Sequence, residues 1–487
     1  MQTSKSWRRL PVSAGARALA IAVAVAAAGP AAGSSTVAGE GSTFRSAGGV
    51  EERCVVLARM PGGAYRESDV QEERGFCTID FYAGTHALCP KLFSTSPGTL
   101  IHDLRGGAFA RDPGRFEREV CPRGQIVTRE AADVPVSFKM SVNTRESSAT
   151  FSNSSLIYYH FARYFDASIH VPPAVLRTMD RAAHQARVAA PGARESARRP
   201  ALRMNNAAWT ALSKAESSPD TYRPTDELFT PDRRSVYGVL LHPRGRQYGE
   251  EFNGSRRSGW GDGQSRDFQE TPPFVALRSP EPLEAAIEEG LRNGHAAAAV
   301  PAASRKEQMV FWMRDLVDIT LLDYIFSQQD RIGNIDYLTY WYWVEGGQVR
   351  RMPAHGSHPP DDIARLAPKL LKRTELGDND AGVRTSYLNY TKRTGMLEKL
   401  RHYSASTYRR LQALDRDFAD QGPLWSYTRA TFGLSEAEFR QVVANAREAA
   451  TILRSNCTAG RIRFDLDPEA FLRDGAVKEA TVDCGGT

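Results

Sequence analysis

Residues Glu307 to Gln328 constrain this chain more than any other stretch. Apolar side chains recur there at Val310, Met313, Leu316/Val317, Thr320/Leu321 and Tyr324/Ile325. A repeat of three to four residues is helical, so the stretch predicts an amphipathic helix whose apolar side must be packed against other elements. It stops at Gln329-Asp330-Arg331-Ile332-Gly333-Asn334. Tyr337–Val344 and Gln348–Met352 then flank Glu345-Gly346-Gly347 and predict a β-hairpin. Gly377-Asp378-Asn379-Asp380 follows, and helical patterns dominate from Met396 to Arg454.

The first half reads differently. Val134–Val142 alternates apolar and polar residues around Lys139 and predicts a strand. Ser154–Phe165 has Leu156, Tyr159 and Ala162/Arg163 at helical spacing, with Ser152 or Asn153 as its cap. Val236–His242 and Phe252 flank a Pro-Arg-Gly-Arg turn and predict a hairpin. Residues 181–233 read as an insertion or loop, with partly helical structure as the alternative, and 254–305 as loop apart from a short helix near Leu283–Leu291. The basic segment 181–204 reads as a solvated loop, with attraction of acidic substrates or glycosaminoglycans as the alternative. Strands first and helices later make an α+β chain of two lobes, strand-rich over 131–305 and helical over 306–487.

The N-terminus reads as an address. Lys5, Arg8, Arg9 and Arg17 precede the apolar run Ala18–Ala28 and the small residues to Gly33, the order of a secretory signal peptide over residues 1–33. The run is shorter than the ~20 residues that span a bilayer, and no later stretch is long enough. Residues 34–50 read as a disordered lead. Six cysteines follow: four in the segment 51–130, which reads as disulfide-tied and strand-rich, then Cys457 and Cys484. An even count behind a signal peptide predicts disulfides, most simply the first four among themselves and Cys457 with Cys484. Sequons at Asn153, Asn253, Asn389 and Asn456 lean towards a glycosylating pathway. The expected location is secreted or in the Golgi/secretory lumen, with no transmembrane segment after signal removal. The net charge of +6 falls to +2 without the four leader cations, so no nucleic-acid partner is expected.

The chemistry-bearing residues come in a definite order: a strand lysine (Lys139), then Asp330 with Asn334 after a helix, then Asp378-Asn379-Asp380 after a hairpin. Singly, these read as a solvated edge residue, a helix cap or ion pair, and an Asx-rich turn or calcium loop. Together they are what a kinase-type phosphoryl transfer needs. A lysine holds nucleotide phosphates, a loop aspartate orients the attacking hydroxyl, and later oxygen ligands hold Mg²⁺ or Mn²⁺. No Walker A run, GxSxG or HExxH occurs. Leu104-Arg105-Gly106-Gly107-Ala108 is the nearest candidate for a phosphate-covering glycine loop.

Asp315–Asp336 (DLVDITLLDYIFSQQDRIGNID) resembles the catalytic segment of the secretory-pathway kinases, family with sequence similarity twenty, which includes the Golgi casein kinase and the proteoglycan xylose kinase. Phe138-Lys139-Met140, Arg145-Glu146, Val171-Pro172-Pro173-Ala174-Val175 and Asp378-Asn379-Asp380-Ala381-Gly382 are similar to further motifs of that family. The resemblance implies a two-lobed atypical protein-kinase-like fold that binds ATP with Mn²⁺ or Mg²⁺. It implies Asp330 as catalytic base, Lys139 and Glu146 at the nucleotide, and Asn334 or Asp336 with Asp378 (Asp380 as backup) at the metal. The acceptor would be a secretory protein or a glycan. Three departures stand out. Ser155 takes the place of the lysine-pairing glutamate, Ile335 that of a metal glutamate, and 48 residues separate Asp330 from Asp378, expected as an extra loop after the hairpin. They leave a second reading: a pseudokinase that binds nucleotide and acts on a kinase partner.

Overall fold

The computed structural model describes residues 39–124, 130–132, 134–143, 150–223 and 227–485. The signal-peptide reading and Glu146 lie outside these residues. Strands dominate the first half and helices the second, so the chain is α+β with two lobes, as the order of patterns predicts.

Seven antiparallel strands build the first lobe: β1 (Gly39–Arg45), β2 (Glu51–Leu57), β3 (His86–Pro90), β4 (Gly98–Asp103), β5 (Val136–Met140), β6 (Val175–Asp180) and β7 (Ser235–Leu241). Their order is β1-β2-β6-β7-β5-β4-β3. β1 falls within the stretch expected to be a disordered lead. It pairs with β2 from Gly39↔Leu57 to Arg45↔Glu51, and Phe44 lies 3.9 Å from the buried Arg177 guanidinium. The anchor is Cys54 on β2, held to Cys77.

Lys139 sits on β5, between β4 (Lys139↔Gly98) and β7 (Lys139↔Val239). All five β5 residues are buried, because both faces of the sheet are covered. The helix Asn153–Phe165 packs on one face with Leu176, Val239 and Leu241. Val188, Trp209 and Leu212 from residues 181–217 pack on the other, around Phe138. Those residues form helices, including Ala190–Ala197 and Arg203–Ser217, where the sequence reading has a solvated basic loop. Their arginines serve the fold: Arg187 reaches Glu117 at 2.6 Å and the Phe81 carbonyl at 2.7 Å, and Arg198 reaches Glu195 at 2.9 Å. Ser152, at the cap position of Asn153–Phe165, makes no capping bond. Its hydroxyl meets Ser141 Oγ at 3.1 Å, tying the helix to the end of β5.

The second lobe surrounds the helix Arg305–Phe326. Every residue from Gln308 to Phe326 is buried, so the helix is enclosed on all sides and not amphipathic. Its charged residues are internally paired, with Arg314 on Asp318, Arg373 on Asp315 and Arg331 on Asp323. Helices Pro272–Arg278 and Glu436–Thr458 pack against it.

A second antiparallel sheet brings the Asp330 turn and the Asp378 loop together. It contains β8 (Arg246–Gln247), β9 (Asp336–Glu345), β10 (Gln348–Pro353) and β11 (Lys369–Glu375), in the order β10-β9-β11 with β8 also on β9. The hairpin of β9 and β10 turns at Gly346-Gly347, as predicted. β7 does not form the expected hairpin: the chain crosses to the second sheet, where Gln247 faces Asp336. Gly245 makes this crossing with φ +104°, and a Cβ there would lie 2.9 Å from the Asp336 Cβ. Of the residues between Asp330 and Asp378, 354–368 form the loop expected after the hairpin, with one short helix at Asp361–Ala364. β11 returns along β9 and ends with Glu375 opposite Asp336, so the detour finishes where it began.

Disulfides join Cys54–Cys77, Cys89–Cys121 and Cys457–Cys484, and no cysteine is free. Among the described residues no helix is long and apolar enough to cross a membrane. The disulfides fit a secreted or lumenal protein. The sequons add nothing to that. Asn153, Asn253, Asn389 and Asn456 each donate the side-chain amide to a main-chain carbonyl, at 2.7–3.2 Å. In this fold those amides serve as hydrogen-bond donors to the main chain.

Candidate active site

The site forms where β5, the turn after Arg305–Phe326 and the loop after β11 converge. Lys139 Nζ donates to Asp378 Oδ1 at 2.8 Å and to the Gly377 carbonyl at 3.2 Å, and lies 3.5 Å from Asp380 Oδ2. Lys139 is only 8 % exposed. Burial works against its charge, and Asp378 and Asp380 more than offset that, holding its pKa above the ordinary lysine range. Asp378 keeps 45 % of its side chain exposed. Against the cost of burial, the charges of Lys139 and Lys91 hold its carboxyl well below the usual range. Asp380 is pushed the other way, up to about 6, by burial and, against Lys139, by the charge of Asp378.

Two further acids belong to this field. Asp336 is pushed up to about 6 by burial and then by the charge of Asp378. Asp330 is raised by the same two causes in the same order. Trp260 and the nearby charges of Arg256 and Arg331 oppose the rise. Asn334 spends its amide on the Asp330 carbonyl at 2.9 Å, bracing its own loop. Of the two alternatives at the metal, Asp336 is the one in electrostatic contact with Asp378. Ile335 is fully buried and has no side-chain ligand atom, and its main-chain N–H donates to Asn253 Oδ1 at 3.2 Å.

The partner expected for Lys139 is not on the helix. Ser155 is buried and its hydroxyl has no hydrogen-bond partner. The two aspartates after β11 take the lysine instead.

Arg331 is a structural hub that the sequence reading treats only as the neighbour of Asp330. It donates to both oxygens of Asp323 at 2.9 Å, to the Asp378 carbonyl at 2.9 Å and to Asn379 Oδ1 at 2.9 Å. Tyr158 also donates to Asp323, at 2.7 Å. One guanidinium thus fixes the Asp330 loop to the Asp378 loop. The signal in the sequence is Asp323, a charge in the middle of an otherwise apolar helical run. Beyond Asp380 the loop is stitched to both lobes: Phe151 N donates to the Asp380 carbonyl at 2.6 Å and Gln329 N to the Ala381 carbonyl at 3.0 Å. A Cβ on Gly382 would lie 2.8 Å from Ser154 Oγ, so this close approach requires glycine.

Lys91 opens the turn between β3 and β4, and its charge reaches Asp336, Asp378 and Asp380. That turn, Lys91–Pro97, lies at the same end of β4 as Gly98, which pairs with Lys139. Leu104–Ala108 lies beyond the other end of β4, so it is not the cover of this site. The covering turn contains no glycine before Gly98, which is why a search for glycines misses it.

Among the described residues no group of three or more His, Cys, Asp or Glu forms a ready-made metal cage. The donor set nonetheless suits Mg²⁺ or Mn²⁺, which bind through one or two carboxylates completed by phosphate oxygens and water. Asp378 and Asp380 already hold a cation between them, the Lys139 ammonium.

Compared with models of known protein families and with curated proteins, the chain matches none.

Proposed function

We propose that this chain is a secreted or secretory-lumen kinase that transfers the γ-phosphate of ATP to a hydroxyl of a secretory protein or glycan. One observation carries the reading: Lys139 from a strand-lobe core strand is clasped by Asp378 and Asp380, while Asp330 stands in the same electrostatic field. The resemblance to the secretory-pathway kinases points the same way.

In this reading Lys139 binds nucleotide phosphates and Lys91 adds a second positive charge from the covering turn. Asp378 and Asp380, with Asp336, hold Mn²⁺ or Mg²⁺, which neutralises phosphate charge when bound. The acceptor hydroxyl gives its proton to Asp330, and its oxygen forms the new bond to the γ-phosphorus. The bond to the β-phosphate oxygen breaks, and ADP leaves with that electron pair. The raised pKa of Asp330 makes it a better base than an ordinary aspartate.

The buried, unpartnered Ser155 hydroxyl favours a second reading, a pseudokinase that binds nucleotide and activates a partner. Calorimetry with ATP in the presence and absence of Mn²⁺ tests the shared premise. We expect Mn²⁺-dependent binding that Asp378→Ala abolishes. Binding that is absent, or indifferent to Mn²⁺ and Asp378, would contradict both readings.

A further inference from the structure

Arg256 lies against the Asp330 turn, and the kinase reading leaves it unused. Its guanidinium donates through Nη2 to the Ile332 carbonyl at 3.2 Å. It also covers Gly333, where a Cβ would lie 2.7 Å from Arg256 Cζ. Gly333 has φ +82° and no side chain to hold the guanidinium off. The neighbouring carbonyls of the turn are taken as well, that of Asp330 by Asn334, that of Gly333 by Gln247 and that of Ile335 by Asn253. Arg256 is therefore seated on a braced piece of backbone two residues from the base.

The loop that presents Arg256 is built rather than loose. Asp267 accepts from Ser255 Oγ at 2.8 Å, from Ser258 N at 3.1 Å and from Ser258 Oγ at 2.6 Å, so one carboxylate fixes both flanks of Arg256. Gly259 N donates to the Arg256 carbonyl at 3.3 Å. The next residue, Arg257, goes to Glu250 at 3.5 Å, while Arg256 turns to the Asp330 turn. Arg331 on the same turn is buried on Asp323. Arg256 is exposed, and among the described residues it forms no ion pair, with Asp330 or with any other acid. Its charge nevertheless opposes the raised pKa of Asp330. The base therefore has a cation beside it that does not neutralise it by contact, and most of the N–H fork of that cation is left to donate.

We propose that Arg256 is a catalytic residue that binds the γ-phosphoryl group during its transfer, from the side of the base. The proposal rests on the kinase reading. Lys139 and the Asp378–Asp380 pair meet the nucleotide from the strand lobe, and none of them serves the side where Asp330 takes the acceptor proton. The acceptor oxygen forms its bond to the γ-phosphorus as the bond to the β-phosphate oxygen breaks, and negative charge spreads over the non-bridging oxygens. Arg256 donates N–H bonds to those oxygens and keeps its own proton. The acceptor proton goes to Asp330, and ADP leaves with the electron pair. A guanidinium fork matches two phosphoryl oxygens at once. The bond to the Ile332 carbonyl holds the fork in place beforehand, so little reorganisation is needed when the charge develops. A lysine ammonium is a point charge and lacks this geometry.

The test is calorimetry of the full chain with Mg²⁺ and three ligands: ATP, ADP, and ADP with aluminium fluoride, a mimic of the phosphoryl group in transit. We expect the wild type to bind the mimic roughly tenfold or more tightly than ADP. Arg256→Met should remove most of that gain and leave ATP affinity within about twofold. Arg256→Lys should recover only a small part of the gain. The exposed position makes both variants foldable. In labelled-phosphate transfer, Arg256→Met should lower kcat roughly a hundredfold with the KM for ATP within about twofold. No gain for the mimic in the wild type, or a gain that survives Arg256→Met, would overturn the proposal and leave the kinase reading intact. So would an equal loss of affinity for ATP and mimic, the result expected of a residue that only braces the turn. Failure of the kinase reading itself shows separately, as wild-type protein that binds no ATP with Mn²⁺ or Mg²⁺, and it overturns the proposal too.

Discussion

Lys139 and Asp378 form an ion pair of 2.8 Å between residues 239 positions apart in the chain. One stands in the middle of the seven-stranded sheet, and the other follows the last strand of the second sheet. With Asp380 at 3.5 Å on the same ammonium, this ion pair joins the two lobes at the point where the chemistry is assigned.

Lys139→Met removes the cation and leaves two carboxylates facing each other. A charged hydrogen bond of this kind contributes about 2 kcal/mol. The variant should therefore melt at a lower temperature than the wild type when metal-free. Mn²⁺ restores the missing charge, so it should raise the melting temperature of the variant more than that of the wild type. Equal shifts in a thermal-denaturation series would contradict the cation site.

Asp336 and Asp380 carry carboxyls raised from 3.8 to about 6, by burial first. A raised acid favours the folded state in its protonated form. Its contribution is present below the unfolded pKa and is lost as pH climbs from about 4 to about 6. A divalent cation needs the ionised form, so Mn²⁺–ATP affinity should rise across the same window. Calorimetry at about pH 5, 6 and 7 checks this, and Asp380→Asn should flatten the rise. An affinity independent of pH there would count against these two aspartates as ligands.

Arg331→Met leaves Asp323 buried without its counter-charge. Loss of one partner of a buried pair costs about 3–5 kcal/mol. Removing both charges, as Arg331→Met with Asp323→Leu, should recover a large part. Urea denaturation of the two variants measures the difference. A single substitution as mild as the double one would show that the hub is dispensable.

Cys457→Ser opens a link between positions 27 residues apart, from the last long helix to the C-terminal tail. A closed loop of that size stabilises by about 3.5 kcal/mol in the chain-entropy account. Denaturant titration should show a loss of that order, reproduced in the wild type by a reductant that opens this bridge.

Much of this architecture is legible in the sequence because it is local. The β5 strand, the Asn153–Phe165 and Arg305–Phe326 helices and the hairpin at Gly346-Gly347 each follow from spacing and turn residues. The three disulfides agree with the simplest pairing. What is not legible is long-range. Nothing in residues 181–217 shows that their arginines face Glu117 and main-chain carbonyls, so they read as a solvated loop. Nothing in the 48-residue gap shows that β11 turns back along β9, because strand pairing is set by the partner. The Arg305–Phe326 helix looks amphipathic because its acids resemble a solvent face, whereas Asp315, Asp318 and Asp323 are each matched by a buried arginine. At the site, Lys139, Asp330, Asp336, Asp378 and Asp380 are legible as an ordered set. Arg256, Lys91 and Arg331 are not, since each acts through a neighbour distant in sequence or through a role that residue type does not reveal.

The most direct measurement is transfer of labelled phosphate from ATP in the presence of Mn²⁺, comparing the wild type with Asp378→Ala and Asp330→Ala. Both variants should bring transfer down by roughly a hundredfold or more, the scale of a lost base or metal ligand. Asp378→Ala should also lose nucleotide binding, while Asp330→Ala should keep it. Wild-type transfer that survives both substitutions, or ATP binding with no transfer to any acceptor, would contradict the account of this site as a kinase centre.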